Sequence, residues 1–353
     1  MSDVAATIAR RDAIALLSAI AATACSATRP PAAPSVEAGA EPFTVDPLVD
    51  LVPAAGLRWL TQVRPRTLLA DAALASAIAT LVPEEVFVTF ALRHGGVDLR
   101  MAHEVVVAGV DDAYLALARL PVDPASIEAA FTRRALAVDG RAVERGITRF
   151  WGTVGETREQ VAVFGRSAVG MEQGRFGPLG VATYFAQGRL RRSRPALHDE
   201  PLEAAATRLG EAPIRAFAPG PFEGAWAAGW GGLLGASTAA AIALHPQTAT
   251  GARPSGGVRG PEGAERVALA VRIVLMGAWS NDGAAAAERM GAAYRVLTED
   301  ALGRLAGLPH PVEPPKVTWD AAALELNVTL DALQLARGVS AITIGSLREI
   351  LAL

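Results

Sequence analysis

From Leu324 to Leu330 the chain alternates without a fault. Leu324, Leu326, Val328 and Leu330 are apolar, and Glu325, Asn327 and Thr329 between them are polar. Side chains on a strand point to opposite faces in turn, so this segment makes a strand with one dry face and one wet face. Strands of parallel sheets are buried on both faces and read as continuous apolar runs; antiparallel sheets carry the alternating kind. A chain with such a strand needs an antiparallel sheet and something to cover its dry side, which in a mixed sequence means helices.

Other segments supply both parts. Leu57 to Val63 reads as a strand ended by Pro65. Apolar residues at Leu74, Ile78, Leu81 and Val82 have helical spacing and predict one helix over 67–82. Pro83 starts a second helix that reaches His94, where Gly95-Gly96 breaks it. Ala113 to Leu120 is a strand, and Asp123-Pro124 opens a helix with proline in its first turn. Residues 148–155 and 160–171 form a hairpin about 156–159, and 177–192 a further helix. These make one α+β unit over 48–192, and 193–210, rich in proline and charge, reads as a linker.

The second unit spans 211–353. It opens with a strand at 214–218, followed by strands at 238–245 and 266–277. Between the latter two lies 246–265, dense in Gly and Pro and long for a hairpin connection, which is expected to be mobile. Residues 282–307 form a long helix with Met290, Tyr294, Leu297, Ala301 and Leu305 on one face, closed by Gly307. After the 324–330 strand, Ser346 and Glu349 make a capping box for a short last helix. The expected fold is therefore α+β: two similar units, each a largely antiparallel sheet packed with helices, from an internal duplication.

Charge narrows the partners. Lys and Arg total 33 against 36 Asp and Glu, a net charge of −3, with no basic domain or stripe of the kind nucleic acid needs. The densest basic run, Arg189 to Arg194, stops at Pro195 and reads as a solvated linker. A single cysteine excludes an internal disulfide.

No reaction centre is legible. His94 and His103, with Asp98 and Glu104, are the only grouping of histidines and carboxylates, but helical i, i+4 spacing is absent and Gly95-Gly96 separates the pair. A solvated helix end is expected there, and no catalytic, metal or cofactor residue is assigned. Gly165-Arg166-Ser167-Ala168-Val169-Gly170 has one residue too many for a nucleophile elbow and falls within an expected strand. Gly229 to Gly235 has the wrong spacing for a dinucleotide loop. Trp226 and Trp230 lie in that glycine-rich stretch after Phe217 and Phe222, and either form a partner surface or fill the core of the second unit.

The first 25 residues carry an address. Arg10-Arg11 precede an apolar run from Ala13 to Ala24, too short to span a bilayer, and Ala22-Thr23-Ala24 lead directly into Cys25. This order of residues resembles the N-terminus of the bacterial lipoprotein family. The resemblance implies that residues 1–24 are a signal peptide that is removed and that Cys25 takes a diacylglycerol thioether and becomes the new N-terminus. It implies a lipid bilayer as partner through acylated Cys25. Arg10 and Arg11 also resemble a twin-arginine export signal. Residues 25–47, with Pro30, Pro31, Pro34, Pro42 and Pro47, cannot bury enough surface to order themselves and read as a lipid-attached tether. In that family the residue after the cysteine influences sorting, so with Ser26 there the resemblance implies the outer membrane, facing the periplasm. The layout of two α+β halves also resembles secreted bacterial lipoproteins in pattern. The expected function is a membrane-anchored, non-enzymatic binding or scaffold module of the cell envelope with a protein or small-molecule partner; the alternative is an exported enzyme of unrecognised class.

Overall fold

The structure is a computed structural model that describes residues 47–174, 177–189, 193–248 and 267–340. The signal, Arg10, Arg11, Cys25, the tether up to 46, most of the 246–265 loop and the Ser346 capping box lie outside the described residues.

The strands are β1 (Leu57–Val63), β2 (Glu104–Val110), β3 (Ala113–Arg119), β4 (Ala137–Glu144), β5 (Ile147–Val154), β6 (Thr157–Phe164), β7 (Ala168–Gly174), β8 (Ile214–Pro219), β9 (Ser237–Thr248), β10 (Val267–Gly277), β11 (Glu313–Trp319) and β12 (Ala323–Asp331). They join one 12-stranded sheet in the order β11-β12-β10-β9-β8-β1-β2-β3-β7-β6-β5-β4. Every pairing in it is antiparallel. The halves meet where β1 lies against β8, with Leu60 opposite Phe217 and Val63 opposite Ile214.

Helices cover both faces. On one lie α1 (Pro65–Leu69), α2 (Ala72–Leu81), α3 (Glu84–Arg93), α4 (Pro124–Arg134) and α7 (Gly283–Glu299), followed by α8 (Ala301–Leu305). Leu74, Ile78, Phe87, Phe90, Ile127, Phe131, Met290 and Tyr294 from these helices bury against Val63, Val105, Ala118, Val163, Val271 and Leu324 of the sheet. On the other face lie α5 (Pro178–Ala186), α6 (Glu200–Leu209) and the 3-10 turns Leu48–Leu51 and Ala196–His198. Their Leu48, Leu51, Leu179, Leu202, Ala205 and Leu209 bury against Leu60, Val106, Leu117, Phe217, Ala241 and Val274.

Several expectations need correction. The helix expected over 67–82 is two, because Asp71 caps a new start by accepting from the amides of Ala73 and Leu74. β2 was not expected: Glu-Val-Val-Val-Ala-Gly-Val is buried on both faces, so it shows no alternation. Gly165 to Ser167 form the turn between β6 and β7 and not the middle of a strand. The span 193–210 contains α6, whose Leu202, Ala205 and Leu209 are buried; its proline sits in the first turn and its acids, Glu200 and Glu203, favour a helix N-terminus. The long helix of 282–307 divides at Asp300, so only Met290 and Tyr294 of its expected apolar face are buried, while Leu297 and Leu305 are exposed.

Candidate functional site

The expected His–carboxylate grouping does not converge. His103 is exposed and lies 2.7 Å through Nε2 from Nη1 of Arg66. Asp98 caps the turn Leu99–Met101 and pairs with Arg100 at 2.7 Å. Glu104 is buried on the opposite face of the sheet from α3. His94 is not a solvated helix end; it is 4% exposed.

His94 belongs instead to a buried trio that sequence spacing could not reveal. It ends α3 and stacks on Phe90 with ring centroids 4.2 Å apart. Arg134, the last residue of α4, donates through Nη1 and Nη2 to the two carboxylate oxygens of Glu159 on β6, at 2.9 and 2.6 Å. Its Nη2 also lies 3.3 Å from Nδ1 of His94. A guanidinium only donates, so Nδ1 is the accepting nitrogen, and the neutral ring carries its hydrogen on Nε2. That Nε2 is buried and has no hydrogen-bond partner among the described residues. Burial first, then the charges of Arg134 and Arg93, lower the His94 pKa from 6.5 to about 3. A ring that stays neutral through the physiological range does not shuttle protons there. The trio fastens the ends of two helices to one strand.

A second buried set crosses the join of the two halves on the other face. Arg215 of β8 donates through Nε and Nη2 to Oε1 of Gln62 on β1, at 2.9 and 2.5 Å. Gln62 Nε2 donates to Glu104 on β2 at 2.7 Å, and Arg119 of β3 lies 3.6 Å from the same carboxylate. Glu104 also accepts from the amide of Leu48 at 2.9 Å. The strands β8, β1 and β2 are thus tied in sequence by charge-assisted hydrogen bonds, the stronger kind, and β3 joins them through the Arg119–Glu104 ion pair. Glu172 of β7 is fully buried and accepts from the amides of Gly177 and Leu179 at 2.8 and 2.5 Å, seating α5 by its N-terminus. Burial raises its pKa, and the two amides oppose the rise. A third cluster links Arg208 of α6 to Asp320 and Glu325, and Arg272 to Glu325, at 2.7–3.2 Å. It covers Glu325 on the polar face of β12, where Thr329 is also buried and Asn327 is partly exposed, so that face is only partly open to water.

Trp226 and Trp230 sit in the connection between β8 and β9. Leu233 and Leu234 are buried and pin this loop to the core, and the amides of Gly229 and Gly235 bond within it to Trp226 and Ala227. Trp226 is 36% exposed, whereas Trp230 is partly buried against the core and holds φ at +54°. The glycines of 229–235 lead through a 3-10 turn into an antiparallel strand and not into a helix. An open depression lies between α3 and α4, lined by Ala91, Leu92, Gly95, Ser126, Ala129 and Arg133. Among the described residues no three or more His, Cys, Asp or Glu side chains are placed to hold a metal ion. No single described helix is long and apolar enough to cross a membrane.

Compared with protein-family models, curated proteins and solved structures, the chain matches none of them.

Proposed function

We propose that this chain is a membrane-anchored lipoprotein of the bacterial cell envelope that presents a non-enzymatic binding or scaffold module. The observation that carries the reading is the apolar run Ala13 to Ala24 ending in Ala22-Thr23-Ala24-Cys25, followed by a proline-rich stretch of the length a tether needs. The buried acids add support of a second kind. Glu104, Glu159 and Glu172 each spend both carboxylate oxygens on holding strands or helices together. On this reading Trp226 is the residue that faces a partner, on a loop held by Leu233 and Leu234.

We also infer that the two halves descend from one module. In each, three strands run outward as a meander, β1-β2-β3 and β8-β9-β10. In each, helical chain then crosses to the far edge, and a meander returns to lie beside the third strand, as β4-β5-β6-β7 in one and β11-β12 in the other. The first half differs by one extra hairpin.

The test is the chemistry of the N-terminus. In a bacterial host the mature protein should partition into detergent, and its N-terminal peptide should begin at a Cys25 carrying the mass of attached acyl chains. Cys25→Ser should move the protein to the aqueous phase. An unmodified Met1 or Ser2 terminus in the native host would overturn the reading.

A further inference from the structure

The strands carry acid at one end and base at the other. At the end where Leu57 starts β1 the turns are acidic: Asp111-Asp112 joins β2 to β3, Gly155-Glu156 joins β5 to β6, and Asp320 lies between β11 and β12. At the end where Val63 finishes β1, the first half carries arginines. Arg66 follows β1, Arg119 closes β3, and Arg145 and Arg166 sit in the β4–β5 and β6–β7 turns. Backbone bonds hold this rim together: the amides of Arg66, His103 and Val122 donate to the carbonyls of Ala102, Arg119 and Arg166 at 3.3, 2.8 and 3.0 Å. Burial first, then the charges of Arg66 and Arg119, lower the His103 pKa, so its ring lies in the field of both. Arg66, Arg145 and Arg166 are exposed, and among the described residues none of the three forms a salt bridge. The acids at this end are engaged. Glu104 is buried beside Leu48, Gln62 and Arg119. Asp123 caps α4 by accepting from Ser126, Glu144 pairs with Arg189, and Glu211 pairs with Arg64 and Arg215.

The chain also enters the fold at the arginine end. Pro47 is the first described residue, and the amide of Leu48 after it donates to Glu104, the neighbour of His103. On the lipoprotein reading, on which this assignment rests, residues 25–46 tie that point to the bilayer, and as a flexible chain they span on the order of 25 Å. We propose that the arginine end of the first half is a docking face for an anionic phospholipid surface. Each arginine brought to such a surface adds attraction, and the acidic turns at the other end are repelled by it. A tether that ends beside the face keeps the local concentration high, so a few cations suffice to orient the module. β8 runs from Ile214, beside Val63, to Pro219 at the acidic end. The Trp226 loop therefore leaves the sheet at the end turned away from the bilayer, where a partner can reach it.

Vesicle co-sedimentation tests this. The chain from residue 25 onward, carrying Cys25→Ser, has neither lipid nor the apolar run and keeps every described residue. It should bind vesicles of equal parts phosphatidylglycerol and phosphatidylcholine, and should not bind phosphatidylcholine alone. Binding should fade as salt rises from about 0.01 to about 1 M, over which the screening length falls from about 30 to about 3 Å. Arg66→Glu, Arg145→Glu and Arg166→Glu combined should weaken it by about tenfold or more, with far-UV circular dichroism and thermal midpoint as in the parent. Arg289→Glu, Arg295→Glu and Arg304→Glu combined, on exposed positions of α7 and α8, change the net charge equally. At about 0.1 M salt, where charges more than about 10 Å from the contact are screened, they should leave binding within about twofold. A parent that binds both vesicle types equally, or neither, overturns the docking face. So does a rim variant that binds like the parent, or an α7–α8 variant that loses as much. Mass analysis of the N-terminal peptide reads the anchor separately, so failed vesicle binding beside an acylated Cys25 removes the face and leaves the lipoprotein reading standing.

Discussion

His94 shows how burial changes the meaning of a residue type. In the unfolded chain it takes a proton below about 6.5, the ordinary value for histidine, whereas in the folded chain it does so only below about 3. Between those values the unfolded state binds more protons, so stability falls as pH falls through that window. The slope from this one site approaches about 1.4 kcal/mol per pH unit, one proton's worth. His94→Phe keeps the stack on Phe90 and removes the titration. Denaturant melts at a series of pH values should show a flatter decline from pH 6.5 downward in the variant than in the parent. Equal slopes would show that His94 titrates in the folded chain as it does in the unfolded one. The residue types here were visible in the chain, but Arg134 and Glu159, 40 and 65 positions from His94, were not adjacent to it in any pattern.

At the scale of elements, the β8–β9 loop is the one place where large aromatic side chains were expected to do something other than fill a core. The structure divides the two tryptophans. Trp230 packs on the core beside Leu233 and Leu234, and Trp226 faces outward. Trp230→Ala should cost about 1–2 kcal/mol, less than the ~3–5 of a fully buried tryptophan because the side chain is only partly buried. Trp226→Ala should leave the thermal midpoint within about 2 °C, a change of under ~0.5 kcal/mol for an exposed site. Differential scanning calorimetry of the two single variants checks both. A large loss at Trp226 would make it a core residue and would remove the partner surface. The same scale explains α6. Its sequence, Glu-Pro-Leu-Glu-Ala-Ala-Ala-Thr-Arg-Leu, holds an apolar spacing at Leu202, Ala205 and Leu209, yet proline and charge at its start read as a linker. Proline and acids belong at a helix N-terminus, so the signal was present and was outweighed by composition.

For the whole molecule, the decisive feature is that one sheet runs through both halves. The join is not a flexible linker but the β1–β8 pairing, reinforced by Arg215, Gln62 and Glu104 in a buried chain of hydrogen bonds. Gln62→Ala would leave the Arg215 guanidinium and the Glu104 carboxylate short of partners in the interior. The expected cost is about 2–4 kcal/mol, near the range for breaking a buried charged contact on one side. Thermal unfolding followed by far-UV circular dichroism and by tryptophan fluorescence should give one coincident transition in the parent, shifted downward in the variant. Two separated transitions in the parent would mean that the halves fold as independent bodies and that the join contributes little.

The sequence by itself determined the class of this protein. The alternation of Leu324 to Leu330, the hairpin expected about 156–159, whose turn lies at Gly155-Glu156, and the helical spacing of 74–82 depend only on neighbours within a few residues, and they sufficed for an antiparallel α+β protein. The tertiary structure decided whatever depends on distant partners. It made β2 a central strand although it does not alternate, since both of its faces are covered. It put Glu325, on the polar face of β12, under Arg208 and Arg272. It buried His94 and sent His103, Asp98 and Glu104 elsewhere. It fused the two expected sheets into one, because the unpaired edges of β1 and β8 satisfy each other's backbone groups, which a lone edge in contact with the core could not do.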